Sequence, residues 1–177
     1  MRLLRAAVVA AVLLGGCGGS DSDDGDTSGG RPTATQSRPA PDDFVRRVDA
    51  LCRSTRPELL GIRTSLTRAR DAARAGRTSL PETFASFARL LRRAGAITER
   101  FEARLRSIEP PPGERAFRGR LLRSVQQGGA NVREQVRAAE AQDALRLRRL
   151  SVQGSVIDAK QKGLLAGHGG FRSCGMG

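Results

Sequence analysis

The spacing of the apolar side chains constrains the fold of this chain more than any other feature. From residue 42 to about residue 166 these side chains recur at steps of three and four residues, which marks one face of an α-helix. No segment shows the strict alternation of apolar and polar residues that indicates a half-buried strand. The sequence therefore predicts an all-α domain over residues 42–177.

Proline and capping residues divide this region into four helices. The first predicted helix starts after Pro41 and ends near Gly76, and Ser79-Leu80-Pro81-Glu82 starts the second. Pro110-Pro111-Pro112 ends the second helix because proline donates no backbone hydrogen bond, and Asp143 is a cap for the fourth. Four long amphipathic helices with short links predict an antiparallel up-down four-helix bundle.

Two of the predicted helices contain an irregularity. Pro57 lies inside the first pattern and predicts a kink, because its ring clashes with the preceding turn. The apolar phase continues across Pro57, which favours one kinked helix over two helices with Ser54 as a cap. The fourth helix has the least regular phase, and the residues assigned to its interior are Leu145, Leu147, Leu150, Val152, Val156, Ile157 and Ala159.

The N-terminus has the order of features found in an export signal. Two arginines precede an uncharged run at residues 6–14, which is too short to span a bilayer as a helix of about 20 residues. Leu14-Gly15-Gly16 then precedes Cys17, as a peptidase pocket that excludes bulky side chains requires. These features predict a cleaved signal peptide over residues 1–16.

The segment Leu14-Gly15-Gly16-Cys17 resembles the lipobox of bacterial lipoproteins, which has a leucine-like residue, two small residues and an invariant cysteine. The resemblance covers only the first 17 residues. In that family the cysteine thiol receives a diacylglycerol and the chain is cut before it. The resemblance therefore implies cleavage between Gly16 and Cys17 and a lipid anchor on Cys17 at the outer face of the cell membrane. An ordinary signal peptide cut elsewhere is the alternative.

Residues 17–41 are expected to be a tether between this anchor and the helical domain. They are rich in Gly, Ser, Asp, Thr and Pro, so they cannot bury enough apolar surface to offset the entropy of ordering. We expect a flexible coil that holds the domain away from the lipid. Its acidic cluster lacks the preset ligand geometry of a cation site, so no metal is predicted at Asp21, Asp23, Asp24 and Asp26.

If Cys17 carries lipid, the other two cysteines form an even set that can oxidise outside the cytoplasm. In an up-down bundle the end of the fourth helix returns to the start of the first, which brings Cys52 and Cys174 to the same end. We therefore predict a disulfide between them, with residues 167–173 folded back along the first helix. The alternative is a buried free Cys52 and an unpaired Cys174. This layout also resembles small exported helical domains of actinobacterial type, a resemblance that implies no activity.

The chain is strongly basic, with 31 Lys and Arg against 18 Asp and Glu and a net charge of +13. A GC-rich genome can by itself produce such an excess of arginine, but a basic surface also attracts anionic polymers and lipid headgroups. The densest basic positions are interpreted either as a solvated helix face or as an anion-binding site: Arg92, Arg93, Arg146, Arg148 and Arg149. The chain has no Trp or Tyr on which bases could stack, so no nucleic-acid partner is expected.

The sequence contains no motif for catalysis, phosphate binding or a metal site. His168, the only histidine, follows a glycine and is expected to be a solvated loop residue, since one ligand does not make a metal site. Glu99 and Glu102 are expected to form ion pairs with arginines on the helix surface.

These observations favour a non-enzymatic, membrane-anchored lipoprotein whose helical domain binds a partner or serves as a scaffold in the cell envelope. No cofactor is expected. The alternative function is binding of a polyanion or of anionic headgroups through the arginines, and an envelope enzyme is the least supported hypothesis.

Overall fold

A computed structural model describes residues 43–174 of the 177-residue chain. Four α-helices follow one another, and a 3₁₀ turn at Pro112–Glu114 precedes the third: α1 (Asp43–Arg74), α2 (Leu80–Ser107), α3 (Arg115–Glu140) and α4 (Ala144–His168). No strand occurs between residues 43 and 174, so the all-α prediction is confirmed. The predicted signal peptide, the lipobox and the tether lie outside the described residues.

Each helix packs against the next one along the chain, α1 with α2, α2 with α3 and α3 with α4. Because short links join them, successive helices run in opposite directions, and the predicted up-down bundle is confirmed. Within the described part of the chain, α1 and α4 do not pack along one another. They come together only at the end of the bundle where α1 begins and α4 ends, through side chains of a shared core.

The apolar core consists of two clusters, one towards each end of the bundle. The larger cluster draws residues from all four helices: Phe44, Val48, Leu51, Leu105, Phe117, Leu121, Val125 and Leu165. The smaller cluster lies where α2 begins and α3 ends, and its buried members are Phe84, Ala88, Leu91 and Ala139. The C-terminal tail lies against the larger cluster, because Phe171 and Cys174 pack on the buried residues of that cluster.

The first helix continues without a break through Pro57. The Ser54 hydroxyl donates to the Leu51 carbonyl at 2.9 Å, and the Thr55 hydroxyl donates to the same oxygen at 2.9 Å. Ser54 therefore does not cap a second helix, and the prediction of a single helix is confirmed. At its end, Gly76 adopts the left-handed conformation (φ 68°) that glycine favours after a helix.

Local capping chemistry fixes the starts of α2 and α4, as predicted. Ser79 and Glu82 form a capping box in which the Glu82 carboxylate accepts the Ser79 N–H at 2.8 Å. The Asp143 carboxylate accepts the Arg146 N–H at 2.9 Å at the start of α4.

The predicted interior of α4 is partly wrong. Leu145, Val152 and Val156 are 72%, 48% and 49% exposed, and Ala159 is exposed as well. The half-buried residues of this helix lie on its opposite side and include Leu147, Leu150 and Ile157. The helix therefore carries apolar residues on two opposite sides, and only one of them can face α3 when α1 does not pack along α4.

Candidate functional site

The C-terminal tail, residues 169–174, folds back onto the beginning of α1. The sulfur atoms of Cys52 and Cys174 form a disulfide, with their Cα atoms 5.1 Å apart. The predicted pairing is therefore confirmed. The tail starts at Gly169 rather than at residue 167, because α4 continues to His168.

A buried carboxylate on α1 holds this tail through hydrogen bonds. Asp49 is 6% exposed, and its Oδ1 accepts the backbone N–H groups of Arg172 at 2.9 Å and Ser173 at 2.5 Å. Its Oδ2 accepts the Ser173 hydroxyl at 3.0 Å and faces the Arg53 guanidinium at 3.3 Å. These donors offset the cost of burying a charge. Asp49 was not among the predicted site residues, although its position three residues before Cys52 places it on the same side of α1.

The hydrogen bonds to Asp49 also set its protonation. Burial raises the pKa of the Asp49 carboxyl, but the hydrogen bonds from Ser173, Arg53 and Arg172 together outweigh burial and lower it. A carboxyl whose pKa is lower in the folded state stabilises the fold while it is ionised. That contribution is complete above the unfolded-state pKa of about 4 and is lost as the pH falls below it.

Asp49→Asn is expected to lower the free energy of unfolding at pH 7 by about 1 to 3 kcal/mol, because the amide cannot accept all of these donors. The difference between wild type and variant should shrink as the pH falls from about 4 to below the lowered pKa of folded Asp49, because the carboxyl of the unfolded chain is protonated first. Urea unfolding of wild type and variant at pH 7 and below about pH 4 measures this difference in free energy. Asp71→Asn is the matched control, since Asp71 lies exposed on the same helix and pairs only with surface arginines. Equal pH dependence of the Asp49 and Asp71 variants would contradict the claim that ionised Asp49 stabilises the fold by holding the tail.

The prediction that His168 is a solvated loop residue is wrong. His168 is the last residue of α4, and its Nε2 lies 2.7 Å from a Glu114 carboxylate oxygen. Its ring lies 4.1 Å, centroid to centroid, from Phe117 and 5.3 Å from Phe171. The returning tail covers this side of the histidine, which local glycine content did not reveal.

The two glutamates of α2 lie in ion pairs with arginines, as predicted, but the pairs differ. Glu102 pairs with Arg106 one turn away and accepts a hydrogen bond from Gln126 at 2.9 Å. Glu99 lies 3.9 Å from Arg133 on α3. Spacing along one helix revealed the first pair, and only the packing of α2 on α3 produces the second.

The structure does not gather the five predicted basic residues into one site. Arg92 pairs with Glu140 of α3, and Arg146 lies 2.7 Å from Glu134 of α3. Three of the five are exposed and have no carboxylate partner between residues 43 and 174: Arg93, Arg148 and Arg149. Arg93 lies on α2 and the other two on α4, and these helices do not pack along each other.

A surface depression beside the link between α2 and α3 is lined by three arginines, two of which already have partners. Arg118 donates to the carbonyl groups of Leu105 and Arg106 at the end of α2. Arg106 pairs with Glu102. These contacts satisfy carbonyl groups that a helix end leaves without an intrahelical donor.

A close contact with α3 fixes the rotation of α4 about its own axis. A side chain at Gly154 would bring its Cβ to 3.0 Å from the Asn131 amide oxygen, so any other residue would have to displace Asn131. Asn131 is buried and donates to the Leu150 carbonyl at 3.1 Å. The side of α4 that carries Gly154 and Leu150 therefore faces α3.

The opposite side of α4 is exposed and combines apolar with basic residues. We define the outer face of α4 by these exposed residues: Leu145, Arg148, Arg149, Val152, Val156, Ala159, Lys160 and Gly163. It contains no acidic residue, and the single acidic residue of the helix, Asp158, pairs with Lys162 at 3.2 Å. The sequence did not reveal this face, because α4 has apolar residues on two sides and those of both sides were assigned to the interior.

Comparisons with protein-family models, curated proteins and solved structures found no match for this chain. None of the helices between residues 43 and 174 combines the length and the apolar character needed to cross a membrane. In the same part of the chain, no three His, Cys, Asp or Glu side chains are grouped as metal ligands.

Proposed function

We propose that this protein is a lipoprotein anchored to the outer face of the cell membrane, with a non-enzymatic helical domain that binds a partner or serves as a scaffold in the envelope. The pairing of the cysteines carries the proposal. Cys52 and Cys174 form a disulfide, which leaves Cys17 as the third cysteine of the chain, at the lipobox-like position. Disulfides persist outside the cytoplasm, on the side of the membrane where lipoproteins are placed.

The chemistry of the proposed anchor explains why it holds. Each buried CH2 of an acyl chain contributes about 0.8 kcal/mol, and two chains make a stable anchor where one does not. A glycine- and serine-rich chain the length of residues 17–41 reaches about 25 to 30 Å as a random coil. That reach would keep the helical domain close enough to the membrane to contact it.

The first test is metabolic labelling with palmitate in a bacterial host that processes lipoproteins. Wild-type protein is expected to take up the label and Cys17→Ala to lose it completely, because the thiol is the attachment site. The double variant Cys52→Ala/Cys174→Ala is the control and is expected to label like wild type. Equal labelling of wild type and Cys17→Ala would refute the anchor.

A second candidate function is binding of an anionic partner. The observation in its favour is that exposed arginines in residues 43–174 lack a carboxylate partner, among them three of the five predicted basic residues: Arg93, Arg148 and Arg149. Binding through such charges weakens steeply as salt rises, because ions screen exposed charges over about 10 Å at 0.1 M. Affinity for an anionic partner that stays constant between low and physiological salt would rule this function out.

A further inference from the structure

We propose that the outer face of α4 docks on an anionic lipid bilayer. The proposal rests on the anionic-partner function above and names both the surface and the partner. Its carrying observation is the combination of exposed aliphatic side chains and partnerless cations on one side of one helix.

The aliphatic residues form a line along the helix. Leu145, Val152 and Val156 are seven and four residues apart, which at 3.6 residues per turn places them within about 40° of each other. The line continues through small residues to Gly163, over a length of about 27 Å. Single exposed apolar residues are ordinary on protein surfaces, but several on one line of a single helix indicate a contact surface.

This row cannot be buried by a simple rotation of α4. The opposite side of the helix holds Gly154 against Asn131 of α3, where a Cβ would come within 3.0 Å of the amide oxygen. Turning the row inward would replace glycine at this contact with a larger side chain and would break the hydrogen bond from Asn131 to the Leu150 carbonyl. The fold therefore keeps the row on the surface.

The charges on the outer face select the partner. Arg148 and Arg149 lie on either side of the aliphatic row, and Lys160 lies beside its later part. A helix with an apolar stripe between cations lies in the interface of a bilayer, with the apolar side chains below the headgroups and the cations at their phosphates. A polyanion in water would use the cations alone and leave the row exposed. A second copy of this face would set arginine opposite arginine, which is unfavourable.

The absence of tryptophan and tyrosine from the sequence makes the test direct. Val156→Trp introduces the only indole of the full-length chain, inside the proposed docking surface. Leu80→Trp is the matched control, because Leu80 is 53% exposed and begins α2. Both proteins are reconstituted with vesicles of phosphatidylcholine alone or mixed with phosphatidylglycerol, each with and without brominated lipid.

We expect the Val156→Trp indole to shift to shorter wavelength and to be quenched by brominated lipid on the anionic vesicles only. The Leu80→Trp indole is expected to stay unquenched on both. Adding Arg148→Gln and Arg149→Gln to Val156→Trp is expected to lower the ratio of docked to undocked protein by about 25-fold, since each interfacial cation contributes about five-fold. High salt is expected to reverse the quenching.

Four results would overturn the docking proposal: no quenching on anionic vesicles, equal quenching of the two indoles, a shift of the Val156→Trp indole with soluble polyphosphate alone, or a shift with rising protein concentration alone. A shift with polyphosphate alone would mean that the outer face of α4 binds an anionic polymer and not a bilayer. A shift with protein concentration alone would mean that it binds a second copy of the chain. Flotation with vesicles tests the lipid anchor separately from docking. A lipid-anchored protein floats with neutral vesicles whether or not α4 docks. A protein without the anchor does not float with neutral vesicles, and floats with anionic vesicles only if α4 docks.

Discussion

Removing the Cys52–Cys174 disulfide is expected to lower the free energy of unfolding by about 4 to 5 kcal/mol. The bond joins residues 122 apart in sequence, so it closes a loop that includes nearly the whole described domain. Its main effect in the chain-entropy description is to restrict the unfolded chain, and this effect grows with loop length. Urea unfolding of the wild type and of Cys52→Ser/Cys174→Ser measures the difference.

Two controls separate the disulfide from the cysteine side chains. Wild-type protein unfolded in the presence of a reductant should match the double variant, because both lack the covalent loop. Cys17→Ser should unfold like the wild type, since residue 17 takes no part in the bond. A loss below about 1 kcal/mol in the double variant would contradict the prediction, because it would mean that the loop closure contributes no more than an ordinary hydrogen bond.

The helix boundaries were predictable because the chemistry that sets them is local. Ser79 and Glu82 lie three residues apart, so their capping box forms wherever the chain starts a helix there. The disulfide was predictable for a different reason. Once four antiparallel helices are assigned, topology alone brings Cys52 and Cys174 to one end, and no knowledge of the contacts between helices is required.

The sequence could not predict which side of α4 is buried, because this depends on which helices are its neighbours. In a bundle where α1 packed along α4, both apolar sides of α4 would be covered, and Leu145 and Val152 would be interior. The structure leaves one side open, and the choice between the two sides follows from the contact of Gly154 with Asn131. His168 was wrongly assigned for a related reason, since the tail that covers it comes from residues beyond the helix.

The candidate sites divide in the same way. The proposed lipid attachment at Cys17 is recognised from a short local pattern and needs no fold. The outer face of α4 needs the fold, because its cations were visible in the sequence but its aliphatic row was assigned to the interior. Of the five basic residues chosen for density, only Arg148 and Arg149 belong to this face, while Arg92 and Arg146 are engaged with glutamates of α3.

Phe117→Ala is expected to lower the free energy of unfolding by about 3 to 5 kcal/mol, the second large effect after the disulfide. Phe117 is buried in the larger core cluster, with 3% of its surface exposed. Its ring centroid lies 6.4 Å from that of Phe44 at the start of α1, 4.1 Å from His168 and 5.5 Å from Phe171. One side chain of α3 therefore packs on α1, on the end of α4 and on the tail, and its loss leaves a cavity where all three meet. Urea unfolding again measures the effect.

A double-mutant cycle tests whether Phe117 holds the tail as well as filling the core. The milder Phe117→Leu is combined with Phe171→Ala, because Phe117→Ala alone would remove much of the small free energy of unfolding that a domain of this size has. Stacked rings couple by about 0.5 to 1.5 kcal/mol, so the two losses should fall short of additivity by that amount. The control cycle pairs Phe117→Leu with Phe87→Ala, which packs on the smaller cluster and should add within about 0.5 kcal/mol. Additivity in both cycles would show that the ring of Phe117 fills space without fixing the tail, and the disulfide with Asp49 would then hold the tail alone.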